Sequence, residues 1–169
     1  MSDEYSKREE KRKLRNMEKN IKALIRAIKK GRIDVIETLS KENLGNDIIP
    51  IIKEERIIAI ENGNLDVVKC LDRCFILCQK SSLVTAAMYG HLEIVTYLAE
   101  SDTYYSNHKE KAFYAAVNCG HIEVVKYLMT KFKLRLMEYK LLTVKIKPEH
   151  EEVLVYLKSQ GYCKDKKLP

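Results

Sequence analysis

The sequence predicts an all-α fold, a solenoid of about five stacked helical hairpins behind a charged helical extension. Three observations predict it. Nearly the same string occurs twice, GHLEIVTYL at residues 90–98 and GHIEVVKYL at residues 120–128. When the chain is aligned on Gly31, Gly63, Gly90 and Gly120, which lie 32, 27 and 30 residues apart, the flanking residues fall into register. Within each copy the apolar residues then follow the period of about 3.6 that marks one face of a helix.

The first element is the N-terminal arm, residues 1–19. Residues 1–30 hold eleven Lys/Arg against five Asp/Glu and residues 31–169 hold 20 against 19, so the net charge of +7 sits almost wholly at this end. A mixed run such as KREEKRKLRNMEKN is expected to be a solvated helix laced with i,i+4 pairs. Contact with nucleic acid or with an acidic partner is the alternative, and it has little motif support: Tyr5 is the arm's one aromatic residue, and no zinc-finger or RNP-like pattern accompanies it.

The array occupies residues 20–160. Four residues before each glycine stand Ala27, Ala59, Ala86 and Ala116, and two after it stand Ile33, Leu65, Leu92 and Ile122. Next come the acids Asp34, Asp66, Glu93 and Glu123. The β-branched pairs Val35-Ile36, Val67-Val68, Ile94-Val95 and Val124-Val125 follow, and then Leu39, Leu71, Leu98 and Leu128. Apolar residues so spaced cover one face of a helix of about ten residues. The acid lies in its first turn, where the unpaired N–H groups favour negative charge. The glycine ends the preceding helix, because the reversal needs a left-handed residue, and the alanine lets the paired helices approach. A single hairpin cannot bury both of its apolar faces, so copies must stack.

A last copy, HEEVLVYL at 150–157, has lost its glycine to Glu149 and reads as a degenerate capping unit before a tail at residues 161–169. The run KFKLRLMEYKLLTVKIK at 131–147 interleaves six positive charges with apolar residues and is expected to form the outer faces of a helix pair.

What the sequence lacks narrows the function. No stretch reaches the roughly 18 apolar residues of a membrane span, and the charged start does not resemble a secretory signal. The protein is therefore expected in the cytosol or nucleus. Cys70, Cys74, Cys78, Cys119 and Cys163 are an odd set in a chain without an export signal, and are expected to be reduced thiols. Cys70, Cys74 and Cys78 are spaced by four and share a helical face if the helix runs that far, but Cys70 fills the slot of Tyr97 and Tyr127, which favours a buried, inert thiol. His91, His121 and His150 share one register, so they form a ladder with rungs about 8–10 Å apart, too far apart for one zinc. No phosphate loop, G-x-S-x-G or H-E-x-x-H occurs, and no enzyme activity, metal or cofactor is expected.

The strings AAMYGHLEIVTYL (86–98), AVNCGHIEVVKYL (116–128), AIENGNLDVVKCL (59–71) and, more weakly, AIKKGRIDVIETL (27–39) resemble the second half of the ankyrin repeat. Tyr before the final Leu, with the Lys, Ile, Asn and Tyr bias, resembles in particular the ankyrin proteins of mimivirus-type giant DNA viruses. The T-P-L-H opening of the family's first helix is replaced by Ser81-Ser82-Leu83-Val84 and Lys111-Ala112-Phe113-Tyr114, where only the apolar third position survives. The resemblance implies a non-catalytic module, expected to be monomeric, that binds a protein partner through finger loops and the exposed face of the first helices. If the chain is viral, that partner is a host protein. By register the contact positions are Lys29, Lys30, Glu61, Asn62, Met88, Tyr89 and Asn118. The finger SDTYYSNHKE adds Tyr104 and Tyr105 as anchors, tyrosine offering large contact area with few rotatable bonds.

Overall fold

The computed structural model describes residues 2–45, 47–75, 82–100, 106–132 and 148–162. Among them all regular structure is helical: α1 (Ser2–Lys29), α2 (Ile33–Leu39), α3 (Ile48–Glu61), α4 (Leu65–Cys74), α5 (Ser82–Tyr89), α6 (Leu92–Ala99), α7 (Ser106–Asn118), α8 (Ile122–Phe132), a 3₁₀ turn (Pro148–His150) and α9 (Glu151–Ser159). The chain divides into two compact units, Met1–Cys78 and Gln79–Pro169. In the first, α1 pairs with α2 and α3 with α4, while α1 packs on α3 and α2 on α4. In the second, α5 pairs with α6 and α7 with α8; α5 packs on α7, α6 on α8, and α9 on α8.

The arm and the first helix of the array are one element. No Gly or Pro interrupts residues 2–29, and Leu14, Met17, Ile21, Leu24 and Ile28 keep a single apolar stripe, so α1 runs unbroken for 28 residues. In α3, Pro50 lies in the first turn, where its missing N–H costs no helical bond.

One turn recurs after each first helix. Gly31, Gly63, Gly90 and Gly120 have φ of 65°, 73°, 78° and 79°, the left-handed region in which a Cβ is strained. The amide after each glycine then donates back to the alanine four residues before it: Arg32 to Ala27 O at 2.9 Å, Asn64 to Ala59 O at 2.9 Å, His91 to Ala86 O at 3.1 Å and His121 to Ala116 O at 3.0 Å. This is the 6→1 bond of a Schellman turn, so the alanine is both spacer and acceptor. The next amide donates to the glycine carbonyl, as from Leu92 to Gly90 O at 3.1 Å, closing an inverse γ-turn whose central residue, His91, has φ −82° and ψ 83°. That residue's carbonyl accepts the first bond of the second helix, from Val95 to His91 O at 2.9 Å. Gly161 repeats the 6→1 bond after α9, Tyr162 donating to Leu157 O at 3.0 Å.

The core follows the register. Ala27, Ala59, Ala86 and Ala116 are buried, as are Ile36, Val67, Val68, Ile94, Val95, Val124, Val125, Leu71, Leu98 and Leu128, with Val153 and Leu157 in the last copy. Each large aliphatic side chain so buried contributes about 1.5–3 kcal/mol. Leu83 and Phe113, the surviving apolar third positions of the first-helix openings, are fully buried too.

One expectation needs correction. The finger SDTYYSNHKE is not all loop: its second half, from Ser106 on, is already the start of α7, since nothing in SNHKEK breaks a helix and Lys109 Nζ sits 4.6 Å from the centre of the Phe132 ring. Charge is not confined to the surface. In the first unit the buried Arg56 of α3 grips Asp72 of α4 with both branches of its fork, Nε to Oδ1 at 2.6 Å and a terminal nitrogen to Oδ2 at 3.0 Å. The charged helix pair expected within residues 131–147 falls, beyond Phe132, outside the described residues.

Candidate functional site

The repeated turn decides what its neighbours do. With the residues four and three before each glycine buried, as Ala86 and Ala87 are, the residues two and one before it lie roughly 150° and 110° from the middle of that buried face. Lys29, Lys30, Asn62, Met88, Tyr89 and Asn118 are all exposed, and Glu61 is half-buried. Tyr104 and Tyr105 lie outside the described residues.

In the first unit two of these positions meet at a groove of mixed polar and apolar lining. Lys29 from α1 and Asn62 from the end of α3 line a depression of about 310 Å³ together with Ile28, Glu55, Ile58 and Asn64. Lys29 Nζ lies 3.3 Å from Oε1 of the buried Glu55, so its ammonium is held over the groove. Ile58, 41% exposed, gives the groove an apolar wall. Glu55 and Ile58 were not singled out in the sequence; their signal is the spacing 55, 58, 62, which puts them on Asn62's side of α3, one and two turns back.

The second unit presents apolar and aromatic surface instead. Met88 and Tyr89, 42% and 44% exposed, end α5, and Asn118 ends the adjacent α7. Tyr89 lies nearly parallel to the His91 ring at 6.5 Å, an arrangement that restrains the tyrosine while leaving it open to solvent. Polar partners converge here too. Nε2 of His121 lies 2.9 Å from Met88 O, and in the tautomer protonated there it donates to that carbonyl.

The histidine ladder thereby acquires a structural role. The His121 ring covers Gly90 so closely that a Cβ there would collide with it, and His150 covers Gly120 in the same way. Each ring caps the turn of the preceding hairpin. At Gly31 the nearest atom to such a Cβ is Cγ2 of Val67, 4.0 Å away, and the turn is open. Among the described residues no group of His, Cys, Asp and Glu could hold a metal ion. Sγ of Cys70 lies 4.0 Å from Sγ of Cys74; burial first, then the neighbouring thiol, pushes Cys70 up to about 11, so it is a thiol and not a nucleophilic thiolate near neutrality. Cys78 lies outside the described residues. No described helix is long and apolar enough to cross a membrane.

Residues 57–138 match the family model for ankyrin repeats in three copies, a segment that takes in the turns at Gly63, Gly90 and Gly120. No curated protein and no solved structure matches the chain. The family match and the recurring Schellman hairpins together support an ankyrin-repeat protein with an all-α repeat fold, a type that generally serves protein–protein interaction.

Proposed function

We propose that the chain is a non-catalytic protein-binding module that holds its partner with the exposed ends of its first helices. In the first unit these are Lys29, Lys30, Glu61 and Asn62, and in the second Met88, Tyr89 and Asn118, with Tyr104 and Tyr105 in the adjoining finger. The observation that carries this reading is the pair Met88-Tyr89. Two large side chains stand nearly half exposed at the end of a helix whose opposite face is fully buried, on a backbone fixed by a Schellman turn. Rigid aromatic and thioether surface of this kind supplies contact area at small entropic cost. The Tyr before the final Leu and the Lys, Ile, Asn and Tyr bias, which resemble those of giant-virus ankyrin proteins, extend the reading to a host protein, met in the cytoplasm or nucleus by a monomer.

A photo-crosslinking amino acid tests it. With benzoylphenylalanine in place of Tyr89, irradiation in a cell extract should give discrete adducts. The same residue in place of Val155, exposed on α9, should not give them. Identical adducts from both positions would exclude the first-helix ends as the contact surface.

A further inference from the structure

The outward face of α1 carries more order than the composition of the arm suggests. Arg8, Arg12, Arg15, Lys19, Lys22 and Arg26 follow one another at alternating steps of four and three residues. At 100° per residue they fall within an arc of about 80°, forming a ridge roughly 27 Å long with a cation every 5 Å or so. The apolar stripe Leu14, Met17, Ile21, Leu24 and Ile28 lies on the opposite side, and the burial of Leu24 and Ile28 turns the ridge away from the folded unit.

All six cations are exposed. Arg8 pairs with Glu4 at 3.1 Å, whereas Arg12, Arg15, Lys19, Lys22 and Arg26 make no ion pair among the described residues. Arg15, Lys19, Lys22 and Arg26 line a depression of about 380 Å³ together with Glu18 and Ala23, four cations to one carboxylate. The arm's other carboxylates stand off the ridge; Glu9, for example, lies 3.6 Å from Lys13 on another face.

We propose that this ridge binds double-stranded nucleic acid through its phosphates, without regard to base sequence. A straight, rigid row of cations matches a polyanion whose charges are equally regular, and a duplex carries about one charge per 1.7 Å of axis. Binding of a single strand would call for aromatic stacking platforms, and the ridge has none. Readout of adenine uses Asn or Gln, which are likewise missing from it. An interfacial membrane helix needs apolar residues flanking its cations at the lipid boundary; here the apolar stripe faces the other way and its C-terminal part is buried.

The test uses the full chain and a labelled mixed-sequence duplex of about 20 base pairs, followed by fluorescence anisotropy at about 50 mM and about 200 mM salt. Two variants lose equal charge: Arg12→Gln/Arg15→Gln/Lys19→Gln/Lys22→Gln on the ridge, and Lys13→Gln/Lys41→Gln/Lys111→Gln/Lys158→Gln at exposed sites elsewhere. Glutamine keeps helix propensity close to that of Arg and Lys, and circular dichroism checks that α1 persists. The parent should lose about a thousandfold in affinity between the two salt concentrations. The ridge variant should bind at least tenfold more weakly than the parent at low salt and show a shallower salt dependence, and the control should stay within about threefold. Equal losses in both variants would reduce the effect to net charge and overturn the site. Binding to polyglutamate or to phosphatidylserine vesicles as tight as to the duplex would overturn the choice of ligand.

Discussion

The buried side of each turn and the rim beside it are two to three residues apart in sequence, yet one repeats and the other does not. Alanine at −4, the left-handed glycine and the aliphatic pair at +4 and +5 recur from hairpin to hairpin with the same backbone bonds. At −2 and −1 the sequence reads Lys29-Lys30, then Glu61-Asn62, Met88-Tyr89 and Asn118-Cys119. The difference separates two jobs. Repeated residues hold hairpins together and tolerate no change of shape, while the non-repeating residues next to them are displayed at fixed positions and are free to suit a partner.

The largest effect should come from a residue outside the repeat. Arg56 is not a register position, yet it is buried with its guanidinium on Asp72. Arg56→Met should cost about 3 kcal/mol, because the largely buried Asp72 loses the bidentate guanidinium that faces it. A denaturant titration checks this, and a loss below about 1 kcal/mol would place the stability of the first unit in its repeated residues alone.

The glycines sharpen the comparison at a smaller scale. Gly120→Ala meets both a positive φ and the His150 ring, and should cost about 2–3 kcal/mol. Gly31→Ala meets the φ strain alone and should cost about 1 kcal/mol. Equal losses in paired thermal melts would mean that the histidine cover adds nothing to the demand for glycine.

Much of this was legible in the sequence, for identifiable reasons. The glycine register announced the turns because a left-handed residue is hard to replace, and the 3.6-residue spacing gave the second helices because burial enforces it. The Arg56–Asp72 pair and Glu55 were not legible, since they occur once and repetition was the signal being read. Nor was the histidines' role. Their shared slot was visible, but the reach of each ring back to the preceding glycine depends on how hairpins stack. The start of α7 was missed because Ser101, Asp102, Ser106 and Asn107 all offer N-cap chemistry within one polar run, and the sequence does not choose among them. The excess charge of the arm was legible, but its sorting into a ridge on one face depends on α1 running unbroken from the arm into the array.

The central claim, that the first-helix ends bind while the repeated residues support, is tested most directly by Met88→Ala/Tyr89→Ala/Asn118→Ala measured for both properties in one preparation. Stability should stay within about 1 kcal/mol of the parent, as for exposed sites. Affinity for the protein crosslinked from position 89 should fall more than tenfold. Unchanged affinity, or destabilisation as large as that of Gly120→Ala, would contradict the claim.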